Sequence, residues 1–171
     1  MTPPPALSVE IRAATAADAA AVAAIYNETI VARDATMVLD TVDAAYVERW
    51  LERLHERESM LVLVEQGALQ GWGIVKFYSD RPGYARACET SVFLHRSESG
   101  RGLGSLLQGA LMEAARKNGF HHVVVKIWAA NASSIAMHRK FGFEIVGTQR
   151  EIGYVDDTWV DVTIMQCVLS A

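Results

Sequence analysis

The spacing of apolar residues divides the chain into segments with a period of two, typical of strands, and segments with helical spacing. Val9, Ile11 and Ala13 alternate with polar neighbours and predict a strand over 7–13. Thr15 and Asp18 have the spacing of a capping box, which predicts a helix of about four turns behind them. The rest of this half is read as an irregular segment over 33–41, an amphipathic helix over 43–57, and a hairpin with strands over 60–64 and 69–78.

The second half begins with a polar loop over 79–87 and a strand over 88–95. After three closely spaced glycines, apolar residues at helical spacing predict a helix over 103–117. Residues 122–128 are almost continuously apolar, as in a strand covered on both faces. A helix over 131–141 and strands over 143–152 and 160–168 complete the chain. Seven strands and about four helices in this order predict a single α/β domain with a mixed sheet.

Composition limits what such a domain can do. The chain has 171 residues, of which 51% are hydrophobic and 21% charged, so one domain with a large core is expected. We assign it to residues 8–171 and expect residues 1–7, with their three prolines, to be a disordered tail. A net charge of −4 argues against a nucleic-acid partner. No apolar run reaches the ~18–20 residues of a membrane span, so no membrane partner and a cytoplasmic location are expected.

The glycines at 100, 102 and 104 form the most informative local pattern. Glycine allows positive φ and lets a ligand approach the backbone. The following helix begins with unpaired N–H groups and a partial positive charge, which suits a phosphate or pyrophosphate, and Arg101 adds a full positive charge. The spacing fits neither the dinucleotide fingerprint nor a P-loop. A plain strand-to-helix connection with nothing bound remains an alternative.

Two residues could move protons. In an extended strand, Glu89 lies on the face opposite Cys88 and Thr90, so it points toward a cleft or solvent and could act as a general base. The alternative is a solvated strand carboxylate. On a helix that begins near Asn131, His138 lies in the same stripe as Asn131 and Ser134. The alternatives are that His138 is a surface histidine and that Asn131 is a plain N-cap.

Several stretches, in the right order, resemble the GNAT superfamily of N-acetyltransferases, most closely the branch of phosphinothricin and small amino-acid N-acetyltransferases. Residues 99–104 match the acetyl-CoA pattern Q/R-x-x-G-x-G/A, with Ser99 where the family has Gln or Arg. Residues 131–143 match N-x-x-A/S-x-x-x-H/Y-x-x-x-G-F. The resemblance covers about residues 8–168 and is also carried by residues 24–27, 89–94 and 159–161.

This resemblance implies a mostly antiparallel seven-stranded sheet and acetyl transfer from acetyl-CoA to the amine of a small molecule, such as an amino acid or an analogue like phosphinothricin or methionine sulfone. It implies Glu89 as base, His138 as acid toward the CoA sulfur, where many members carry Tyr, and a homodimer. The residues expected at acetyl-CoA are Val92, Phe93, Leu94, Ser99, Gly100, Arg101, Gly102, Leu103, Gly104, Ser105, Asn131 and Ser134.

The amine is expected at the loop over 77–86 and the segment over 33–40. Arginines with aromatic neighbours suit a carboxylate-bearing substrate, which singles out Tyr78, Arg81, Tyr84 and Arg86. This loop is shorter than in phosphinothricin-type enzymes, and residues 155–158 replace their basic glycine-rich turn. A protein lysine or N-terminal acetyltransferase and a non-catalytic CoA-binding domain remain alternatives.

The remaining metal-binding residue types do not form a site. Cys88 and Cys167 lie in apolar strands and are expected to be buried thiols. His121 and His122 are adjacent, and adjacent strand residues point to opposite faces. We therefore expect no metal.

Overall fold

A single seven-stranded sheet forms the centre of the computed structural model, which describes residues 9–170. The predicted tail, the domain boundary at residue 8 and the first two residues of the predicted first strand lie outside these residues. The strands are β1 Val9–Ala13, β2 Ser59–Glu65, β3 Ala68–Phe77, β4 Ala87–Leu94, β5 His122–Trp128, β6 Glu144–Val155 and β7 Thr158–Val168. The α-helices of the described chain are α1 Ala19–Ala32, α2 Ala44–Glu52, α3 Leu103–Lys117 and α4 Ala132–Lys140.

The strand order β1-β2-β3-β4-β5-β7-β6 confirms the predicted mixed, mostly antiparallel sheet. Only β4 and β5 are parallel. Their pairing covers just Ala87–Glu89 opposite His122–Val124, whereas the other edge of β4 pairs with β3 as far as Leu94. The sheet therefore opens between β4 and β5 beyond Glu89.

Helices cover both faces of the sheet. Helices α1 and α2 pack on one face, where Ile25, Trp72 and Ile74 are almost fully buried. Helix α3 packs on the other face, where Leu111 meets Val75 and the apolar positions of β5. Burying one such side chain stabilises the fold by about 1.5–3 kcal/mol, so these two layers account for a large part of its stability.

Helix α2 ends at Glu52, not at residue 57 as the apolar spacing predicted. Arg57 turns back across the sheet, where its Nε donates to Asn118 O at 2.8 Å and its guanidinium lies 4.5 Å from the Phe120 ring centre. Glu58 accepts a hydrogen bond from Phe77 N at 2.8 Å. The partners of Arg57 and Glu58 lie 61 and 19 residues away, so the periodicity of the segment itself could not show these contacts.

The hairpin of β6 and β7 is longer than predicted. Strand β6 runs to Val155, not 152, and β7 begins at Thr158, not 160. Asp156 and Asp157 form the turn between the two strands, with φ of 46° and 59°. Both residue types tolerate this left-handed conformation. Most β6 side chains are exposed on both faces, so no alternation of burial marked its end.

Candidate functional site

Two of the three glycines have the left-handed backbone that the sequence predicted, whereas Gly104 lies within α3. Gly100 has φ of 81° and Gly102 has φ of 80°, and Gly102 is the residue at which α3 starts. A Cβ atom at either position would meet no atom within 4 Å. The backbone of the loop is therefore open to a ligand from outside.

The N–H groups of this loop lack protein partners. Leu106 N is the first amide of α3 to donate, to Gly102 O at 3.2 Å, and within residues 9–170 no acceptor faces the amides of residues 100–105. Such amides at a helix N-terminus carry partial positive charge. The arrangement is suited to binding a phosphate group.

Arg101 does not supply the free positive charge that the sequence predicted. Its guanidinium donates to both carboxylate oxygens of Glu65, at 2.8 and 2.9 Å, and also to Glu98. The Glu65 side chain is only 9% exposed. Arg101 thus joins the loop to the end of β2, and its charge is already neutralised by two carboxylates. Any contribution of Arg101 to a phosphate would come from its backbone amide.

Strand β4 leads from the loop to the opening in the sheet. Val92, Phe93 and Leu94 pair with β3 on one edge, whereas the edge toward β5 has no strand partner among the described residues. Unpaired backbone groups along a strand edge can bind an extended ligand as another strand would. The three residues therefore present the backbone groups that an extended ligand arm needs.

Glu89 stands at the last parallel pair before the strands separate. Cys88 and Thr90 are buried on the opposite face, as predicted. The Glu89 side chain is 12% exposed, and it accepts from Lys126 Nζ at 2.9 Å and lies 3.8 Å from Lys76 Nζ. Glu89 is therefore a charge-paired carboxylate beside the opening, which corrects the solvated alternative.

His138 is buried, with 5% of its surface exposed, and is not a surface histidine. Its Nδ1 lies 2.8 Å from Ser134 O, and because a carbonyl can only accept, Nδ1 carries the proton. Burial lowers the pKa of His138 below its ordinary value. At neutral pH the imidazole is therefore uncharged and its Nε2 is an acceptor, which is the opposite of what a ready proton donor needs.

Asn131 satisfies the N-cap alternative and leaves its amide nitrogen for a ligand. Its Oδ1 accepts from Ser134 N and from Ser133 Oγ, each at 3.1 Å. Within residues 9–170 its Nδ2 has no hydrogen-bond partner. A cap and a ligand contact are thus compatible at this residue.

The structure brings the four predicted amine-binding residues together. Tyr78, Tyr84 and Arg86 line a cavity of about 520 Å³, and Tyr78, Arg81 and Tyr84 line an adjoining one of about 320 Å³. The two tyrosine rings are 5.4 Å apart in an edge-on arrangement. The segment over 33–40, expected at the amine, lines neither cavity.

Sequence reasoning missed the cavity wall that β5, β6 and β7 provide. Lys126 lines both cavities and is the only Lys, Arg, Asp or Glu within β5. That interruption of an apolar strand was a signal that could have been used. Further wall residues of the larger cavity are His121, His122, Val124, Val146, Gln149, Ile164 and Gln166.

We expected His121 and His122 on opposite faces, but both line the larger cavity. His121 precedes the first residue of β5, so the alternation of strand side chains does not apply to it. In the part of the chain that the structure describes, no three His, Cys, Asp or Glu residues lie close enough to hold a metal ion. Cys88 and Cys167 are buried free thiols, and burial raises the pKa of Cys88 to about 12.

Comparison with known proteins defines the class to which this fold and site belong. The family model of the acetyltransferase (GNAT) domain matches residues 11–164. The chain therefore belongs to the GNAT acetyltransferase family, and the fold and enzyme class expected from the sequence are confirmed.

Similarity to individual proteins extends over almost the full chain. The chain is 33% identical over 162 residues to the L-methionine sulfoximine/L-methionine sulfone acetyltransferase of Pseudomonas paraeruginosa, with 94% of each chain covered. It is 34% identical over 161 residues to the phosphinothricin N-acetyltransferase of Streptomyces viridochromogenes, covering 92% of this chain and 86% of that one. An acetyltransferase structure from Salmonella typhimurium, solved with acetyl-CoA, superimposes with a TM-score of 0.92 and 32% identity, covering 96% and 95% of the two chains. These relatives support the predicted branch of the family.

Among residues 9–170, no helix is both long and apolar enough to cross a membrane.

Proposed function

We propose that this protein transfers the acetyl group of acetyl-CoA to the amine of a small, amino-acid-like molecule. The observation that carries the proposal is the arrangement along β4, where unpaired amides, an open strand edge, Glu89 and a cation-lined cavity follow one another. The names of its relatives agree with this substrate class.

The residues present fit acetyl-CoA, which supplies an acyl group activated as a thioester. The backbone amides of residues 100–105 would hold its pyrophosphate, with Ser99 and Ser105 at the margins. The free edge of β4 over 92–94 would hold its extended arm, and Asn131 Nδ2 would donate to it beside Ser134. From Glu89 to Leu94 the strand spans about 17 Å at about 3.3 Å per residue, so the arm would end beside Glu89.

Glu89 would accept the proton of the incoming amine, directly or through water. This requires its carboxylate to exchange at least one lysine contact for the substrate. His138 would act through its Nε2, which as an acceptor can hold and orient a donor and take a proton, but cannot give one while the imidazole is neutral. The role we propose for His138 is therefore positioning near the CoA arm, with proton donation only after it has itself been protonated.

The direct test is release of free CoA thiol from acetyl-CoA by the purified protein with a panel of amines. The panel contains L-methionine sulfone, phosphinothricin, other amino acids, diamines, and peptides with a lysine or a free N-terminus. We expect turnover with amino acids and not with peptides. Turnover restricted to peptides would favour the protein-acetyltransferase alternative. Tight CoA binding without turnover would favour the non-catalytic one.

We further propose that the protein is a cytoplasmic homodimer joined through β6 and β7. Support comes from exposed apolar side chains on this hairpin: Val146, Ile152 and Tyr154, and Trp159, whose ring lies 4.7 Å from that of Tyr154. Exposed apolar patches of this kind mark association surfaces. Light scattering after size exclusion should give twice the chain mass, and Trp159→Glu should give a monomer. A monomeric wild-type protein would contradict this assembly.

A further inference from the structure

Lys126, which lines both cavities, forms an ion pair with Glu89, which lines neither. Lys126 Nζ donates to Glu89 Oε2 at 2.9 Å and lies 5.9 Å from the centre of the Tyr78 ring. Its side chain is 48% exposed, whereas that of Glu89 is 12% exposed. The ammonium is therefore the accessible member of the pair and the carboxylate the sheltered one.

The charges around the larger cavity are unbalanced. Its wall contains Arg86 and Lys126 but no Asp or Glu, and the rest of the wall is aromatic, apolar or neutral-polar, with two histidines. The smaller cavity adds Arg81. Arg86 already donates to Gly119 O at 3.0 Å, so part of its guanidinium is engaged. Lys126 is the only cation of these walls that also contacts Glu89.

An amine that reaches Glu89 from the cavity as an ammonium competes with Lys126, the lysine partner of Glu89 that lines the cavity. If the amine carries no acid group, Lys126 loses its charged partner, and the walls of the two cavities hold no Asp or Glu to replace it. If the amine is a zwitterion, its ammonium can replace Lys126 at Glu89 while its carboxylate binds the displaced Lys126. Every charge then keeps a partner.

We propose that Lys126 is the residue that selects zwitterionic amino acids, by exchanging Glu89 for the carboxylate of the substrate. This rests on the proposed acetyl transfer and goes beyond it, because it assigns the choice among amines to one strand residue. Arg81 and Arg86 then line the space for the rest of the substrate.

The test compares L-methionine sulfone with its primary amide on wild type, Lys126→Met, Lys126→Arg and Lys76→Met. Lys76 is the matched control, because its ammonium is also near Glu89, at 3.8 Å, but lines neither cavity. For each variant kcat/KM is measured by thiol release, and Kd by calorimetry with the CoA-saturated protein. The two amines differ in basicity, and comparing acid-to-amide ratios across variants removes that difference.

We expect Lys126→Met to lower the acid-to-amide ratio about tenfold or more, since one charged hydrogen bond is lost for the acid and none for the amide. Lys126→Arg should restore most of the ratio, and Lys76→Met should leave it within about twofold of wild type. An unchanged ratio in Lys126→Met, an equal loss in Lys76→Met, or no binding of the acid by wild type would each overturn the proposal. Lys126-dependent binding without turnover on any amine would refute the proposed acetyl transfer and leave the role of Lys126 intact.

Discussion

The two ends of β4 present different kinds of groups to a ligand. At the loop end, these groups are the backbone amides of six consecutive residues, 100–105, and the Arg101 side chain is engaged with Glu65 and Glu98. At the cavity end, these groups are side chains from the loop over 78–86 and from strands β5, β6 and β7, which come later in the chain. One site is made by the chain's local conformation, the other by its tertiary fold.

This difference explains what each end can discriminate. Backbone amides at a helix N-terminus favour any phosphate group, so the loop end suits a cofactor shared by a whole family. Side chains such as Lys126 and Tyr84 can change without altering the backbone, so the cavity end can be adapted to a particular amine. A substitution at the loop end should therefore act by changing the backbone conformation. A substitution at the cavity end should act by changing the chemical groups that line the cavity.

The largest effect is expected from Gly102→Val. Valine at φ of 80° is strained, and its side chain would occupy the open space in front of the amides. We expect CoA affinity, measured by calorimetry, to fall at least about 100-fold, because several charge-assisted hydrogen bonds are lost together.

Gly67→Val is the matched control for this substitution. Gly67 has φ of 78° and equally open surroundings, but it lies in the β2–β3 turn. Both variants should lose a similar amount of stability, about 1–2 kcal/mol by thermal unfolding. Only Gly102→Val should lose CoA affinity. Equal CoA affinity in the two folded variants would show that the loop is not the phosphate site.

Glu89→Gln tests the cavity end. The amide has nearly the same shape but cannot take the proton of the amine, so kcat/KM should fall by about 100-fold or more. CoA affinity should stay within about threefold of wild type, since Glu89 lies at the other end of β4. Glu113→Gln, an exposed carboxylate on α3, is the control and should leave both quantities unchanged. Full activity of Glu89→Gln across pH 6–9 would make Glu89 a structural residue.

The same contrast decides how much the sequence could predict. The conformation at Gly100 and Gly102 was predicted because glycine allows positive φ whatever its distant neighbours. The roles of Arg101 and Arg57 were not visible, because Glu65 and Asn118 lie 36 and 61 residues away from them. Lys126 was passed over within an apolar strand, and only the parallel register of β4 and β5 places it beside Glu89. Local backbone chemistry can be predicted from the sequence, whereas partners distant in sequence need the fold.

His138 should have an intermediate effect. It is buried and uncharged at neutral pH, so His138→Phe removes an acceptor rather than a charge. We expect about a tenfold loss, mainly as a higher KM for acetyl-CoA, with kcat retained at saturation, as for a positioning role. A fall in kcat with unchanged KM would indicate proton transfer instead.

The charge state of His138 can be measured separately. Because burial lowers its pKa, the uncharged form persists to a lower pH than for a solvent-exposed histidine. By NMR its ring proton signal, identified by its loss in His138→Phe, should titrate with a midpoint below about 6.5. Protonation would then remove stability as the pH falls through the unfolded-state pKa toward the folded one. A midpoint above 6.5 would restore the acid role expected from the sequence.

The smallest effect is expected from Arg101→Met, although its position in the loop suggests the opposite. In the structure its guanidinium is held by Glu65 and Glu98, so removing it takes no free charge away from a phosphate. CoA affinity should fall by less than about threefold, because the backbone amides of the loop are unchanged. Glu65→Gln serves as the companion variant, because it leaves Glu98 as the one carboxylate that pairs with the Arg101 guanidinium. If the loop binds CoA through its backbone amides, Glu65→Gln should raise CoA affinity slightly or not at all. Raising the salt concentration should then change the CoA affinity of the wild type, Arg101→Met and Glu65→Gln by the same factor. A loss of about 100-fold in Arg101→Met would mean that the guanidinium leaves both carboxylates when CoA binds. The loop end would then depend on a side chain as the cavity end does, and the contrast between the two ends of β4 would be refuted.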